Sequence, residues 1–340
     1  MELIIAKLKD FKKGQMSRRE LIQAMAFSAT AAFAASALPT AAADGEGFKA
    51  TAVNHIAYHV GDYARARDFY LDLFGMSLYW DNGKECQLNF GNPAAPDGII
   101  FRPAKPGEKA YVNHLAFSIA NFMAHKAAIK AEMERRGLQN INLDTETGWS
   151  CDDPVGYPVN IMAEKATSMF PGASHPCKVA ASAECREGWE AGRKNLDAIP
   201  KPSDRSFKAT AVSYIALNVP DIPTEREFYR DFLRMKEVYC RLEEPNPECF
   251  LSFGNDALYL RKSQRPDNKP YVDHFAITID NWNRDAVEAE LKRRGLDPQP
   301  DSKYGFTIHD KEGYRIGICA KQLQDYVGNT CGSGVAGCPS

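Results

Sequence analysis

Apolar and polar residues alternate with a period of two from Val53 to Val60 (VNHIAYHV). Such alternation predicts a strand, with His55, Ala57 and His59 on one face and Asn54, Ile56, Tyr58 and Val60 on the other. The run that follows, ARARDFYLDLF, changes period: Ala66, Phe69, Tyr70, Leu73 and Phe74 recur at helical spacing. Short alternating runs come next, so the unit predicted is βαβββ. A second opening strand, VNHLAFSI at Val112 to Ile119, repeats the first after 59 residues, with His114, Ala116 and Ser118 facing one way and Leu115, Phe117 and Ile119 the other. Gly137 and Gly295 stand where helices of the second units end, because a helix C-terminus favours a residue that accepts positive φ.

The whole arrangement then occurs again. FKATAV at Phe48 to Val53 returns unchanged at Phe207 to Val212, an offset of 159 residues. FYLDLFGM answers FYRDFLRM, ECQLNFGN answers ECFLSFGN, and YVNHLAFSI answers YVDHFAITI. The chain is thus a duplication of a duplication. Its predicted fold class is α+β, with tandem βαβββ modules paired into two cup-shaped domains at 48–165 and 207–320. Between them 166–206 reads as a Pro-containing linker with one short helix around Cys185 to Lys194, and 321–340 as an irregular Cys-containing tail.

Residues 1–43 break this pattern, with four lysines, then SRRELIQ, then an Ala-rich apolar run from Ala24 to Leu38. Ser17-Arg18-Arg19 and the closing Ala41-Ala42-Ala43 resemble a bacterial twin-arginine export signal cleaved near Asp44, which implies a periplasmic or otherwise exported protein. The 15-residue run is shorter than the ~20 residues that span a bilayer, so no membrane anchorage is expected after cleavage.

The 340 residues carry 42 basic and 44 acidic groups, and loss of 1–43 leaves a net charge near −5. No basic stripe is present, which argues against nucleic acid as a partner. Nine cysteines in an exported chain make disulfides plausible. Cys177, Cys185, Cys331 and Cys338 lie in the tails, whereas Cys86, Cys151, Cys240, Cys249 and Cys319 read as small buried hydrophobes on or near strands.

Paired βαβββ modules, an opening strand bearing His, a helix bearing Phe-Tyr and a late D-x-x-G-Y resemble the vicinal oxygen chelate superfamily, which includes glyoxalases, extradiol dioxygenases and bleomycin-resistance proteins. The resemblance implies three metal ligands, two on the opening strands and one on the last. Here those positions are His55, His114 and Asn160. Two neutral imidazoles suit a divalent ion, Fe, Mn, Zn or Ni, that is left open to two substrate oxygens. Asn160 substitutes a neutral amide for the expected carboxylate. His59 and Tyr157 are the candidate catalytic groups. In the second half the positions hold Tyr214, His274 and Gly317, a degenerate site read as structural or substrate-contacting.

The function expected is a metal-dependent dioxygenase, lyase or isomerase acting on a small oxygen-rich substrate in the first domain. The alternatives are a metal-free small-molecule binding protein of the bleomycin-resistance type and a non-catalytic exported scaffold. With paired modules in each half, a monomer is sufficient and a homodimer is compatible.

Overall fold

The computed structural model describes residues 47–93, 95–164, 199 and 201–321. The export segment, the expected helix at 185–194, the tail after Lys321 and the four tail cysteines lie outside the described residues. Among the described residues, no helix is long and apolar enough to cross a membrane.

In the first half the elements run β1 (Ala50–Val60), α1 (Tyr63–Phe74), β2 (Ser77–Asp81), β3 (Cys86–Asn92), β4 (Ala95–Pro103), β5 (Tyr111–Ile119), α2 (Phe122–Arg135), β6 (Gly148–Asp152) and β7 (Pro158–Ala163). They form a seven-stranded sheet in the order β2-β3-β4-β1-β5-β7-β6. The second half runs β8 (Ala209–Val219), α3 (Ile222–Glu227) continuing into a π-helical turn Phe228–Phe232, β9 (Lys236–Arg241), β10 (Glu248–Phe253), β11 (Asp256–Lys262), β12 (Tyr271–Ile279), α4 (Arg284–Arg293), β13 (Gln299–Ser302), β14 (Gly305–His309) and β15 (Arg315–Ala320). Its eight strands follow the order β13-β14-β15-β12-β8-β11-β10-β9. In each sheet the two opening strands, β1 with β5 and β8 with β12, pair antiparallel at the centre, and the last strand of each module returns parallel to its first.

One module is shorter than the repeat predicts. After α2 only an isolated bridge, Asn142 to Ser150, stands where a further strand would be. The exposed run Asp144-Thr145-Glu146 has no apolar alternation to bury there.

Local chemistry explains the helix ends. Asp62 caps α1 by accepting from the backbone N–H groups of Ala64 and Arg65, and Gly75 closes it at φ 60°. At Gly75 a side chain would also strike the Phe207 carbonyl, 2.6 Å from a Cβ, so the helix end abuts the second half.

Ile56, Tyr58, Leu115 and Phe117 are fully buried on the helix-bearing face of the first sheet. That face meets its counterpart from the second half. Tyr58 packs on Tyr70 and Phe101 from its own half and on Phe275 and Tyr314 from the other. Phe117 meets Tyr229 and Phe253 in the same way. The two halves therefore share one aromatic core, and each sheet keeps its opposite face as a cup.

The repeated motifs are the connectors of this core. Asp310, in the second D-x-x-G-Y, accepts the hydroxyls of Tyr58 at 2.7 Å and Tyr70 at 3.1 Å, the latter from the first Phe-Tyr. Asp153, in the first D-x-x-G-Y, accepts the Tyr229 hydroxyl at 3.1 Å, from the second Phe-Tyr. Asp256 accepts from Val53 N at 2.7 Å while its repeat partner Asp97 accepts from Val212 N at 3.0 Å. These two aspartates also hydrogen-bond each other, and burial with the neighbouring charge pushes Asp256 well above the usual carboxylate range.

Cysteine usage differs from the sequence reading at two positions. Cys240 and Cys249 face one another across β9 and β10 and form a disulfide rather than packing as hydrophobes. Cys86, Cys151 and Cys319 are free and buried.

Candidate functional site

Register defines the first cup. Directly paired residues of neighbouring strands share a sheet face. Ala57 pairs with Ile100 on one side and His114 on the other, and Ile100 pairs with Gln87. His59 pairs with Arg102 and with Tyr111. His55 pairs with Ala116, which pairs with Asn160. His55, His59, His114 and Asn160 therefore project from one face, away from the shared core. Ala57 and Ala116 lie between them and leave room above the sheet.

Two β-bulges aim the histidines. The ladder passes from Val53 and Phe117 to His55 and Ala116, skipping Asn54, and from Ala57 and His114 to Tyr58 and Val112, skipping Asn113. Plain alternation assigned Asn54 to the core face with Ile56; the bulge instead sets its amide beside the next ring. Asn54 Oδ1 lies 3.1 Å from His55 Nδ1, and Asn113 Oδ1 lies 2.9 Å from His114 Nδ1. The two Nε2 atoms converge at 3.2 Å, with the rings at 81° to each other.

Proton positions follow in part from the neighbours. Asn54 Nδ2 donates to the Ala163 carbonyl, an obligate acceptor, and to Ser118 Oγ. Asn54 Oδ1 therefore faces His55, whose Nδ1 carries a proton, and in the neutral imidazole Nε2 is then the acceptor nitrogen. Burial first, then the Arg102 charge, push His114 down to about 4, so it is neutral at pH 7. If Asn113 also accepts, the His114 Nε2 lone pair points at that of His55, an arrangement that needs a cation between them. If Asn113 donates, His114 Nε2–H donates to His55.

The distance fits a shared ion. Two imidazole nitrogens bonded at about 2.0–2.1 Å to one metal stand about 3.0–3.4 Å apart. The third position is poorer, because Asn160 offers only an amide oxygen. Among the described residues, no group of three or more His, Cys, Asp and Glu gathers as a metal cage.

His59 is held at 3.3 Å from the Tyr111 hydroxyl through Nδ1, and its Nε2 is buried without a hydrogen bond among the described residues. Desolvation first, and Arg102 second, lower its pKa, so it is a neutral base near pH 7. Tyr157 is not brought to the histidines. It lies on the core side of the sheet, and its hydroxyl donates to the Val112 carbonyl at 3.0 Å. Tyr314 repeats that bond to Val272 at 2.8 Å, which marks both tyrosines as clamps.

The chain's cup also holds residues that the sequence reading passed over. Trp80 donates to Gln87, and Gln87 donates to Asn89, which forms a polar row on the same sheet face as the histidine pair, with Ile100 and Ala57 between. Arg102 forms an ion pair with Glu85 at 2.6 Å. The repeated Val-Asn-His at 53–55 and 112–114 was the available signal for the two orienting asparagines.

The second cup is closed by its own side chains. Tyr214, Tyr239, Phe250 and Tyr259 fill the face that the first cup leaves polar. Tyr214 and His274 occupy the places of His55 and His114, with hydroxyl and Nε2 3.2 Å apart. His274 Nδ1 is held by Asp273 at 2.7 Å, which Arg315 also engages. Gly317 replaces the third ligand, and a Cβ there would lie 2.7 Å from Ala276 Cβ, so packing excludes a larger residue.

Two cups built from four related modules around a shared core, one polar and one filled, define a two-domain protein of vicinal-oxygen-chelate architecture. Residues 52–157, within the first domain, match the family described as the Glyoxalase/Bleomycin resistance protein/Dioxygenase superfamily. No curated protein matches the chain in sequence. Among solved structures, a variant of homoprotocatechuate 2,3-dioxygenase from Brevibacterium fuscum superposes with a TM-score of 0.58 at 13% identity, covering 81% of this chain and 72% of that one. The Mn(II)-bound glyoxalase from Novosphingobium aromaticivorans gives 0.56 at 14% identity, covering 81% and 83%. The 2,3-dioxygenase LapB from Pseudomonas sp. KL28 gives 0.58 at 13%, covering 80% and 93%. At such identities the likeness is one of fold.

Proposed function

We propose that the first cup binds a divalent metal through His55 and His114 and acts as an enzyme on a small substrate with adjacent oxygens, as a dioxygenase, lyase or isomerase. The observation that carries this reading is the 3.2 Å approach of two Nε2 atoms whose rings are each oriented by an asparagine. Asn160 Oδ1 supplies a neutral third donor from the same face. A divalent ion held there supplies Lewis acidity to vicinal oxygens. His59, neutral and held through Nδ1 by Tyr111, is the candidate base on the same face of the sheet. Trp80, Gln87 and Asn89 form the polar row against which the substrate is oriented. Chelation followed by reloading tests this: removal of metal abolishes turnover of a catechol or an α-hydroxy ketone, and re-addition of Mn, Fe, Zn or Ni restores it. Absence of turnover under every loading, with metal bound, contradicts the enzyme reading.

The missing carboxylate at Asn160 favours a second reading, a metal-free binding cup in which His114 Nε2–H donates to His55. In that case ligands bind equally well after chelation. Export through 1–43 is part of the same proposal, since Arg18 and Arg19 form the twin-arginine pair. Changing both to Lys then leaves unprocessed precursor inside the cell; normal processing counts against that route.

A further inference from the structure

The second domain has a feature that the first does not. Asp81 and Cys240 occupy matched places, since each pairs with the cysteine that opens the next strand motif. Three residues separate Asp81 from Glu85, whereas seven separate Cys240 from the matching Glu248. The four added residues carry Glu244, Pro245, Asn246 and Pro247 over the filled second cup. There they wall a groove of about 620 Å³, floored by Arg241, Glu248, Arg261 and Lys262. That volume lies in the range of small-molecule sites.

Three cations, Arg241, Arg261 and Lys262, stand against two carboxylates, Glu244 and Glu248, in its lining. Glu248 is buried and turned inward, where it accepts the Tyr259 hydroxyl, and Arg241 stands 4.0 Å from it. Glu244 is exposed at the rim. Arg241 and Arg261 lie over the rings of Tyr239 and Tyr259, 5.1 and 5.5 Å from the centroids. Stacking of that kind holds a guanidinium in place while its N–H edge stays open to a planar oxyanion. Arg261 meets Asp273 at 3.8 Å, but Arg315 and His274 already engage that carboxylate. Lys262 adds a third cation, anchored on the Pro220 carbonyl at 2.5 Å. The Cys240–Cys249 disulfide ties both ends of the added loop, and two prolines stiffen it, so the wall is ordered before any ligand arrives.

We propose that this groove is a second ligand site, separate from the histidine cup, for a small molecule bearing a carboxylate or phosphate group. Isothermal titration of the full chain at low salt, with inorganic phosphate in one arm and succinate in the other, tests it. One saturable site is expected for at least one anion, and the tighter arm identifies the oxyanion class. Arg261→Gln and Arg241→Gln, each on a half-exposed side chain of a different strand, should weaken binding roughly tenfold or more, about 1.4 kcal/mol, with the melting temperature little changed. His114→Ala should leave it intact, which separates this result from the fate of the metal site. No saturable binding of either anion, or affinity that both arginine variants retain, overturns the proposal.

Discussion

At the scale of single residues, the first cup depends on two asparagines as much as on two histidines. Each sits in a bulge immediately before its ring and fixes which nitrogen faces the cup. Orienting partners of metal-binding imidazoles typically account for ten- to a hundredfold in affinity. Asn113→Leu should therefore weaken divalent-metal binding by roughly that factor without unfolding the protein, as read by metal titration beside circular dichroism. In the second cup Tyr214 makes a purely internal bond to His274. Tyr214→Phe should cost about 1 kcal/mol of stability and leave metal stoichiometry unchanged.

At the scale of elements, strand alternation and helical spacing account for the βαβββ order in three of the four modules, because burying one face of a strand leaves a period-two record in the sequence; the second module lacks one strand. His55, His59 and His114 were legible on one face for the same reason. What alternation could not show is where a strand carries an extra residue, so the placement of Asn54 and Asn113 was missed. Nor could it separate a disulfide from buried thiols at Cys240 and Cys249, since that depends on cross-strand register. Nor does alternation show that the Tyr157 hydroxyl donates to the Val112 carbonyl, a contact between strands.

A second element-scale consequence concerns α3. Glu225 is fully buried, its Oε1 accepts from Val155 N at 3.1 Å, and it hydrogen-bonds Asp153. Desolvation first, then the Asp153 charge, push Glu225 far above the usual carboxylate range, to about 10. The folded state thus holds a proton that the unfolded chain releases above about pH 4.3. Stability from this pair is full below that pH and is lost as pH rises toward 10, with a slope of at most about 1.4 kcal/mol per pH unit. Denaturant titrations of Glu225→Gln between pH 5 and pH 9 should show a flatter profile than the unaltered chain. A profile just as steep would place the titrating group elsewhere.

At the scale of the whole molecule, the two halves are joined through reciprocal polar contacts inside an aromatic core. Asp310 receives two tyrosine hydroxyls from the first half, and Asp153 receives one from the second. Breaking one such buried network is costly because the donors left behind lose their partner. Asp310→Leu should lower stability by about 3 kcal/mol or more and leave a single melting transition shifted downward. Duplication supplied this frame twice, and the halves then diverged: the second filled its cup with aromatic side chains, while the first kept small residues around its histidines.

The account rests on one ion being shared by His55 and His114. Isothermal titration of metal-stripped full chain with Mn(II) and Zn(II), repeated on His114→Ala and His274→Ala, tests it most directly. One divalent ion per chain is predicted for the unaltered protein and for His274→Ala, and none for His114→Ala. Failure of the unaltered protein to bind either ion, or an unchanged stoichiometry in His114→Ala, would contradict it.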